Sequence, residues 1–228
     1  GDVFQVVLSQ RFQASYESGL YEGPGLALYA KLRELNPSPY MFHMRFGARR
    51  NGLTLLGASP EIAVYIANRE MCIRPIAGTR RRGVNPEEDR RLAEELQADP
   101  KELAEHRMLV DLARNDIGRF CKADSITIPE LIKVEPYSHV MHLTSEVKGK
   151  LRYGIHPLDA CLGSLPAGTL SGAPKVRALQ IIAELEKSRR GPYGGAFGWM
   201  TDTAVDTCIF IRSAMLHQGI LYWQSGGG

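Results

Sequence analysis

Between Asp99 and Asp116 the sequence reads DPKELAEHRMLVDLARND, which concentrates the residue types best suited to chemistry in a small space. At helical spacing Glu102, Glu105, His106 and Asp116 share an arc with Leu103, Leu109, Val110, Leu112 and Ala113, the kind of apolar arc that a helix turns to the core. Arg107, Asp111, Arg114 and Asn115 take the opposite side. An ionised carboxylate facing an apolar interior is costly unless it is paired, hydrogen-bonded or bound to a cation. The structural alternative is that Glu102 only closes a capping box and Glu105 only pairs with an arginine. Acids and an imidazole within two turns point instead to a metal and acid–base site floored by this helix.

The helix is signalled by Asp99 as N-cap, Pro100 at the first helical position and Glu102 three residues after the cap. Pro86 to Ala98 predicts a preceding helix with Leu92 and Leu96 inward. Further back, Val3–Phe12, Tyr40–Phe46 and Leu53–Gly57 read as strands, and Tyr21–Leu35 as a helix with Leu26, Leu28, Tyr29 and Leu32 inward. Ala58-Ser-Pro-Glu61 puts Glu61 at a strand end, where side chains are held over clefts, although an ordinary turn glutamate is the commoner meaning. Ile62–Ala67 and Met71–Ile76 form a hairpin about Asn68-Arg-Glu. Ala77–Gly83 reads as a basic glycine loop, open to an anion but equally a solvated turn.

Beyond the acidic helix, Ser125–Ile128 and Ile132–Val134 are short strands. In Tyr137–Val147, strict alternation puts His142, Thr144 and Glu146 on one face and Met141, Leu143 and Ser145 on the other. After a short helix at Leu158–Leu162, LPAGTLSGAPK (Leu165–Lys175) runs into a helix from Ala173 to Glu186. Ser171 or Gly172 as its cap would bring Thr169, free N–H groups and the helix dipole together as an anion site. Val176 follows Lys175, so this is no nucleotide P-loop. Asp206–Arg212 reads as a strand ending in an arginine, and Ser225–Gly228 as a second anion nest. Two glycine loops, a strand-end arginine and an acidic helix describe a small polyanion bridged by a divalent cation. The irregular order of strands and helices fits an α+β sandwich.

Composition supports one large domain over residues 1–228. With 44% apolar residues, 23% charged residues and a net charge of +3, nothing argues for nucleic acid or a membrane surface. No apolar run is long enough to span a bilayer. Cys72, Cys121, Cys161 and Cys208 lack metal-site spacing and read as reduced thiols of a cytoplasmic protein. The chain enters on a strand-like run without Met and stops at Gln224-Ser-Gly-Gly-Gly, where a loop is expected, so it reads as a piece of a longer polypeptide.

The successive motifs GDVFQVVLSQRF, NPSPYMF, LLGASPE, PIAGTRRRG, EHRMLVDLARND, YSHVMHLTSEV, PAGTLSGAPK, GPYGGAFGW and DTCIFIR resemble those of the chorismate-utilising enzymes, closest to the anthranilate synthase large subunits. The resemblance implies an α+β fold of two apposed sheets ringed by helices, with a Mg²⁺-dependent site between the halves. It implies Glu105 as a metal ligand, Glu102 and Glu61 as site acids, and His142 as the histidine of pyruvate elimination. Gly78, Thr79, Thr169, Tyr193, Arg212, Gly226 and Gly228 match positions that hold chorismate. A further metal glutamate and most of the tryptophan feedback pocket would lie outside this chain, Asn36–Phe42 being a surviving wall.

Within that family, isochorismate and salicylate synthases carry a water-activating lysine where this chain has Gln5. Aminodeoxychorismate synthases carry a nucleophilic lysine where it has Ala77. With neither amine, ammonia is the expected nucleophile. The resemblance therefore implies amination of chorismate and release of anthranilate for tryptophan biosynthesis, with ammonia from a glutamine amidotransferase subunit or domain. A synthase stopping at 2-amino-2-deoxyisochorismate and a non-catalytic chorismate-binding module are the alternatives.

Overall fold

The computed structural model describes residues 1–17, 23–47 and 52–228. The first expected strand is two: β1 (Gln5–Val6) and β2 (Leu8–Ser15) enter different sheets, with Val7 buried at the break. Helix α1 (Leu26–Leu35) begins after Gly25, so it is shorter than predicted, and Tyr21 and Glu22 lie outside the described residues. It lies shallowly, with Leu28, Tyr29 and Leu32 half-buried and Leu26 exposed. Strands β3 (Tyr40–Phe46), β4 (Leu53–Ser59), β5 (Ile62–Ala67) and β6 (Glu70–Ile73) follow. Asn68 and Arg69, both at positive φ (50° and 64°), make the two-residue turn between β5 and β6.

The basic loop expected at 77–83 is largely strand β7 (Ile76–Arg81), paired with a distant partner that local sequence cannot reveal. Its arginines are engaged: Arg80 with Asp99 and Glu102, Arg81 with Glu88, and Arg82 with Asp89. The helices α2 (Pro86–Ala98) and α3 (Pro100–Gly118) match expectation. The capping box is only half formed, because Asp99 Oδ1 accepts from the Lys101 and Glu102 N–H groups while the Glu102 carboxylate turns to Arg80.

The two short strands expected next are one, β8 (Thr127–Pro136), bulged about Ile132 at φ 56°. Then come β9 (Val140–Lys150), α4 (Pro157–Ser164), α5 (Gly168–Ser171), β10 (Gly172–Ala173), α6 (Lys175–Leu185), β11 (Ala196–Met200), β12 (Val205–Ile209), β13 (Ser213–His217) and β14 (Ile220–Gly227). Thr144 is buried along with Ser145, so the alternation read in β9 does not separate an inner from an outer face there. That strand pairs with β6, β7 and β8 and sits inside the sheet.

A seven-stranded sheet runs β11-β12-β5-β6-β9-β7, with β8 on β9; a five-stranded sheet runs β2-β14-β13-β4-β3; and β1 pairs with β10. The main core lies where Val110, Ala113 and Ile117 of α3 meet Val64, Ile66, Met71 and Val147 of the larger sheet. Leu92 and Leu96 of α2 close on Met141 and Leu143. Burial of each such aliphatic side chain is worth about 1.5–3 kcal/mol. Between the two sheets, Phe42 stacks on Phe197 at 4.0 Å.

The chain crosses between sheets at two places that matter for the site. One is the step from β4 to β5, which carries Glu61; the other is the step from β12 to β13, which carries Arg212. Backbone bonds tie the crossings together: the Ala58 N–H donates to the Arg212 carbonyl at 3.0 Å, and the Ile209 N–H to the Glu61 carbonyl at 2.9 Å.

Candidate active site

The inward face of α3 divides into groups that hold the fold and acids left half-buried. His106 is fully buried, with Nε2 2.6 Å from Ser145 Oγ, and Nδ1 has no partner among the described residues. Burial pushes its pKa down to about 4, so it pins α3 to β9 as a neutral ring. Asp116 accepts from Lys175 Nζ at 2.7 Å, and that ammonium also donates to the Ser164 carbonyl at 2.8 Å. Two of the four ionisable groups thus hold the fold. Glu102 and Glu105 remain, both half-buried.

Glu102 Oε1 lies 3.3 Å from an Arg80 guanidinium nitrogen, so the arginine partner expected for Glu105 in the structural alternative falls to Glu102 instead. Its other oxygen lies 3.1 Å from where a Cβ on Gly78 would stand. Gly78 is at φ 61°, where β7 shifts register against β9; a side chain there would be strained and would press on Glu102. The bulge aims the Gly78 carbonyl at His142 Nδ1, 3.0 Å away, and Thr79 Oγ1 is also 3.0 Å from that nitrogen. A carbonyl can only accept, which assigns the proton to Nδ1 and leaves Nε2 as the basic nitrogen. Burial, with a smaller contribution from Arg212, lowers the His142 pKa, so the ring is neutral at physiological pH.

Glu61 is 8% exposed and accepts from Thr169 Oγ1 at 3.1 Å. Burial raises its pKa to about 8 even though Thr169 and Arg212 pull it down. It is therefore a carboxylic acid that keeps its proton at neutral pH. Arg212, at φ 47°, is not at a strand end as expected, because β12 stops at Ile209 and three residues cross to β13. The crossing, not a strand terminus, brings its charge to bear on both Glu61 and His142. A cleft of about 660 Å³ opens here, lined by Asn36, Pro60, Tyr137, His142 and Arg212.

Thr169 belongs to this acid, not to the start of α6. The expected Ser171 or Gly172 cap is not formed: Ser171 Oγ bonds back to the Ala167 carbonyl, and Gly172–Ala173 pair with Gln5–Val6. A Cβ on Gly172 would stand 2.2 Å from the Gln5 carbonyl, so the ribbon needs glycine there. That ribbon delivers Gln5 Nε2 to Glu105 Oε1 at 2.9 Å, and Gly228 lies against the Gln5 amide. The second expected nest is likewise strand, Ser225 to Gly227 pairing with Gln10 to Leu8. Within it Gly226 stands against the Tyr193 hydroxyl, which a Cβ at that position would meet at 2.8 Å.

The candidates therefore gather in three places: Glu61, Thr169, Arg212, His142, Gly78, Thr79 and Glu102 about the crossings; Glu105, Gln5 and Gly228 by the ribbon; and Tyr193 with Gly226 beside β14. Sequence reasoning missed Arg80 as the partner of Glu102, because the arginine run looked like solvated loop. It also missed Tyr137, whose ring meets His142 edge-on at 5.4 Å; an aromatic immediately before SHVMH was the available signal.

A family model for chorismate binding enzymes matches residues 1–228. Anthranilate synthase component 1 of Geobacillus stearothermophilus is 53% identical over 229 residues, covering 100% of this chain and 43% of that protein. The crystal structure of anthranilate synthase component I from Streptococcus pneumoniae TIGR4 matches with a TM-score of 0.87 at 43% identity, over 99% of this chain and 48% of that one. A putative 2,3-dihydroxybenzoate-specific isochorismate synthase from Bacillus anthracis matches at 0.81 and 28% identity, over 99% and 60% respectively. The chain thus spans less than half the length of these two component I relatives. Matched from end to end by the family model and carrying the same apposed sheets, it belongs to the chorismate-binding enzyme family.

Proposed function

We propose that this chain carries the chorismate site of an anthranilate synthase-type lyase, which aminates chorismate at C2 and then eliminates pyruvate. The observation that carries the choice of nucleophile is the pair Gln5 and Ala77. Neither supplies an amine, and the Gln5 amide is engaged with Glu105. Ammonia, delivered by a glutamine amidotransferase subunit or domain, is then the attacking group.

Glu105 suits a metal ligand of the Mg²⁺ kind. Among the described residues its carboxylate is met by the Gln5 amide and by no cationic side chain, and no group of three or more His, Cys, Asp or Glu side chains among them could hold an ion. Mg²⁺ is ordinarily bound by one or two carboxylates, with substrate and water completing the shell. Bound at Glu105, it would neutralise the ring carboxylate of chorismate and draw charge from the ring.

Arg212 would take a substrate carboxylate, with the Gly226 and Tyr193 wall orienting the ring. As the nitrogen bonds C2, Glu61 gives its proton to the C4 hydroxyl and the C4–O bond breaks, releasing water. Glu102, tied to Arg80, is the less suited donor. His142 Nε2 then removes the C2 proton, the C3–O bond breaks, and the enolate leaves and is protonated to pyruvate as the ring becomes aromatic. The balance is chorismate plus ammonia giving anthranilate, pyruvate and water. In its full-length context the protein should form anthranilate from chorismate, ammonium and Mg²⁺. Isochorismate, salicylate or 2-amino-2-deoxyisochorismate as the main product would overturn the assignment.

A further inference from the structure

Behind the Tyr193–Gly226 wall lies a charge pair that none of the proposed chemistry uses. Arg190 and Glu186 side chains are 14% and 8% exposed. The Arg190 guanidinium donates to both Glu186 oxygens, to the Leu170 carbonyl at 2.6 Å and to the Val7 carbonyl at 2.7 Å. Its cationic carbon lies 5.7 Å from the centroid of the Tyr193 ring. Glu186 in turn accepts from the Ser9 N–H at 2.9 Å and from Ser9 Oγ at 2.7 Å, and Gln224 Nε2 donates to the same hydroxyl at 2.7 Å. One pair thus ties α5, the sheet break at Val7, β2, β14 and the Tyr193 loop together.

The arrangement is more than a buried salt bridge, because Arg190 uses its planar fork to reach two carbonyls on separate segments while its cationic carbon lies over an aromatic ring. Lysine has the charge but neither the fork nor the plane. The other edge of that ring meets Gly226, where an added Cβ would lie 2.8 Å from the Tyr193 oxygen. The ring is therefore clamped between a cation and a strand glycine, so a shift of Arg190 moves the hydroxyl relative to β14.

We propose that Arg190, backed by Glu186, is a positioning residue for substrate recognition: it sets the Tyr193 ring against Gly226 and so fixes one wall of the site. The kinetic part of this inference rests on the proposed chorismate chemistry; the part about Tyr193 does not.

Two measurements on the full-length protein test it. With [ζ-¹³C]tyrosine labelling and assignment by Tyr193→Phe, the Tyr193 signal should shift or broaden in Arg190→Lys while the other tyrosines hold. In Glu186→Gln, a milder variant that keeps an acceptor for Ser9, it should move less in the same direction. An unchanged Tyr193 signal in both overturns the proposal, whatever the enzyme does. Arg190→Lys should also raise KM for chorismate about tenfold with kcat within about twofold, as expected for displaced binding groups. That rise should vanish in a Tyr193→Ala background. An equal rise there would show that Arg190 acts through something other than Tyr193. Failure of the unmodified enzyme to form anthranilate would sink the chorismate reading and leave the tyrosine signal to decide on Arg190.

Discussion

Replacing Glu61 with Gln separates the two consequences of burying an acid at the sheet crossing. The native carboxyl is raised from an ordinary value of 4.5 to about 8, with burial as the main cause. A raised acid binds its proton more tightly in the folded state, so folding stability is full below pH 4.5 and declines as pH rises through 8. At 1.36 kcal/mol per unit, the loss reaches about 3 kcal/mol at pH 7 and about 5 kcal/mol above pH 8. Glutamine keeps the shape and an acceptor for the Thr169 hydroxyl but does not ionise. Urea unfolding of the ligand-free protein at half-unit intervals from pH 4.5 to 9 should therefore show a smaller decline in Glu61→Gln than in the native chain. Turnover should fall about 10²–10⁴-fold, the usual share of a positioned general acid, and native activity should drop above about pH 8 as the proton is lost. Parallel stability–pH curves for the two proteins would refute the reasoning, because they would mean that the Glu61 carboxyl titrates alike in folded and unfolded chains.

His106 gives the opposite sign. Its folded pKa is lowered from 6.5 to about 4, so its contribution is present above pH 6.5 and is lost as pH falls through 4. His106→Leu should remove up to about 3 kcal/mol of that acid loss, read from the same urea series. Lys175→Met should destabilise by about 3–5 kcal/mol by stranding buried Asp116, and the double change Lys175→Met with Asp116→Leu should recover most of it, checked by urea midpoint. Glu105→Gln should abolish Mg²⁺-dependent turnover while leaving metal-free thermal unfolding within a degree or two; retained Mg²⁺-dependent turnover would rule Glu105 out as the metal ligand.

The helices α2 and α3 and the β5–β6 hairpin were legible because their signals are local: caps, 3.6-residue spacing and a two-residue turn. What failed depended on partners far along the chain. Ala77–Arg81 looks like a basic loop until β9 pairs with it, and its arginines look free until α2 and α3 supply acids. Thr169 points in sequence toward the helix that follows it, yet it serves Glu61, 108 residues away. The α3 arc correctly marked inward acids and a histidine. It could not tell that Lys175 and Ser145 would engage Asp116 and one nitrogen of His106 and leave Glu105 as the acid of that face without a salt bridge among the described residues. The motifs of Glu61 and Arg212 each signal a strand end; that both sit on crossings between the same two sheets is a property of topology, not of either motif.

The nucleophile is the point on which the proposed function stands, and a competition between isotopes reads it directly. The full-length protein would be incubated with chorismate, Mg²⁺ and ¹⁵N-ammonium in H₂¹⁸O, and every product weighed by mass spectrometry. With Gln5 and Ala77 in place of amines, the expected product is anthranilate carrying one ¹⁵N on the ring, with one pyruvate per anthranilate. Isochorismate carrying ¹⁸O at C2 and no ¹⁵N would contradict it, because water would then be the group that attacks the ring.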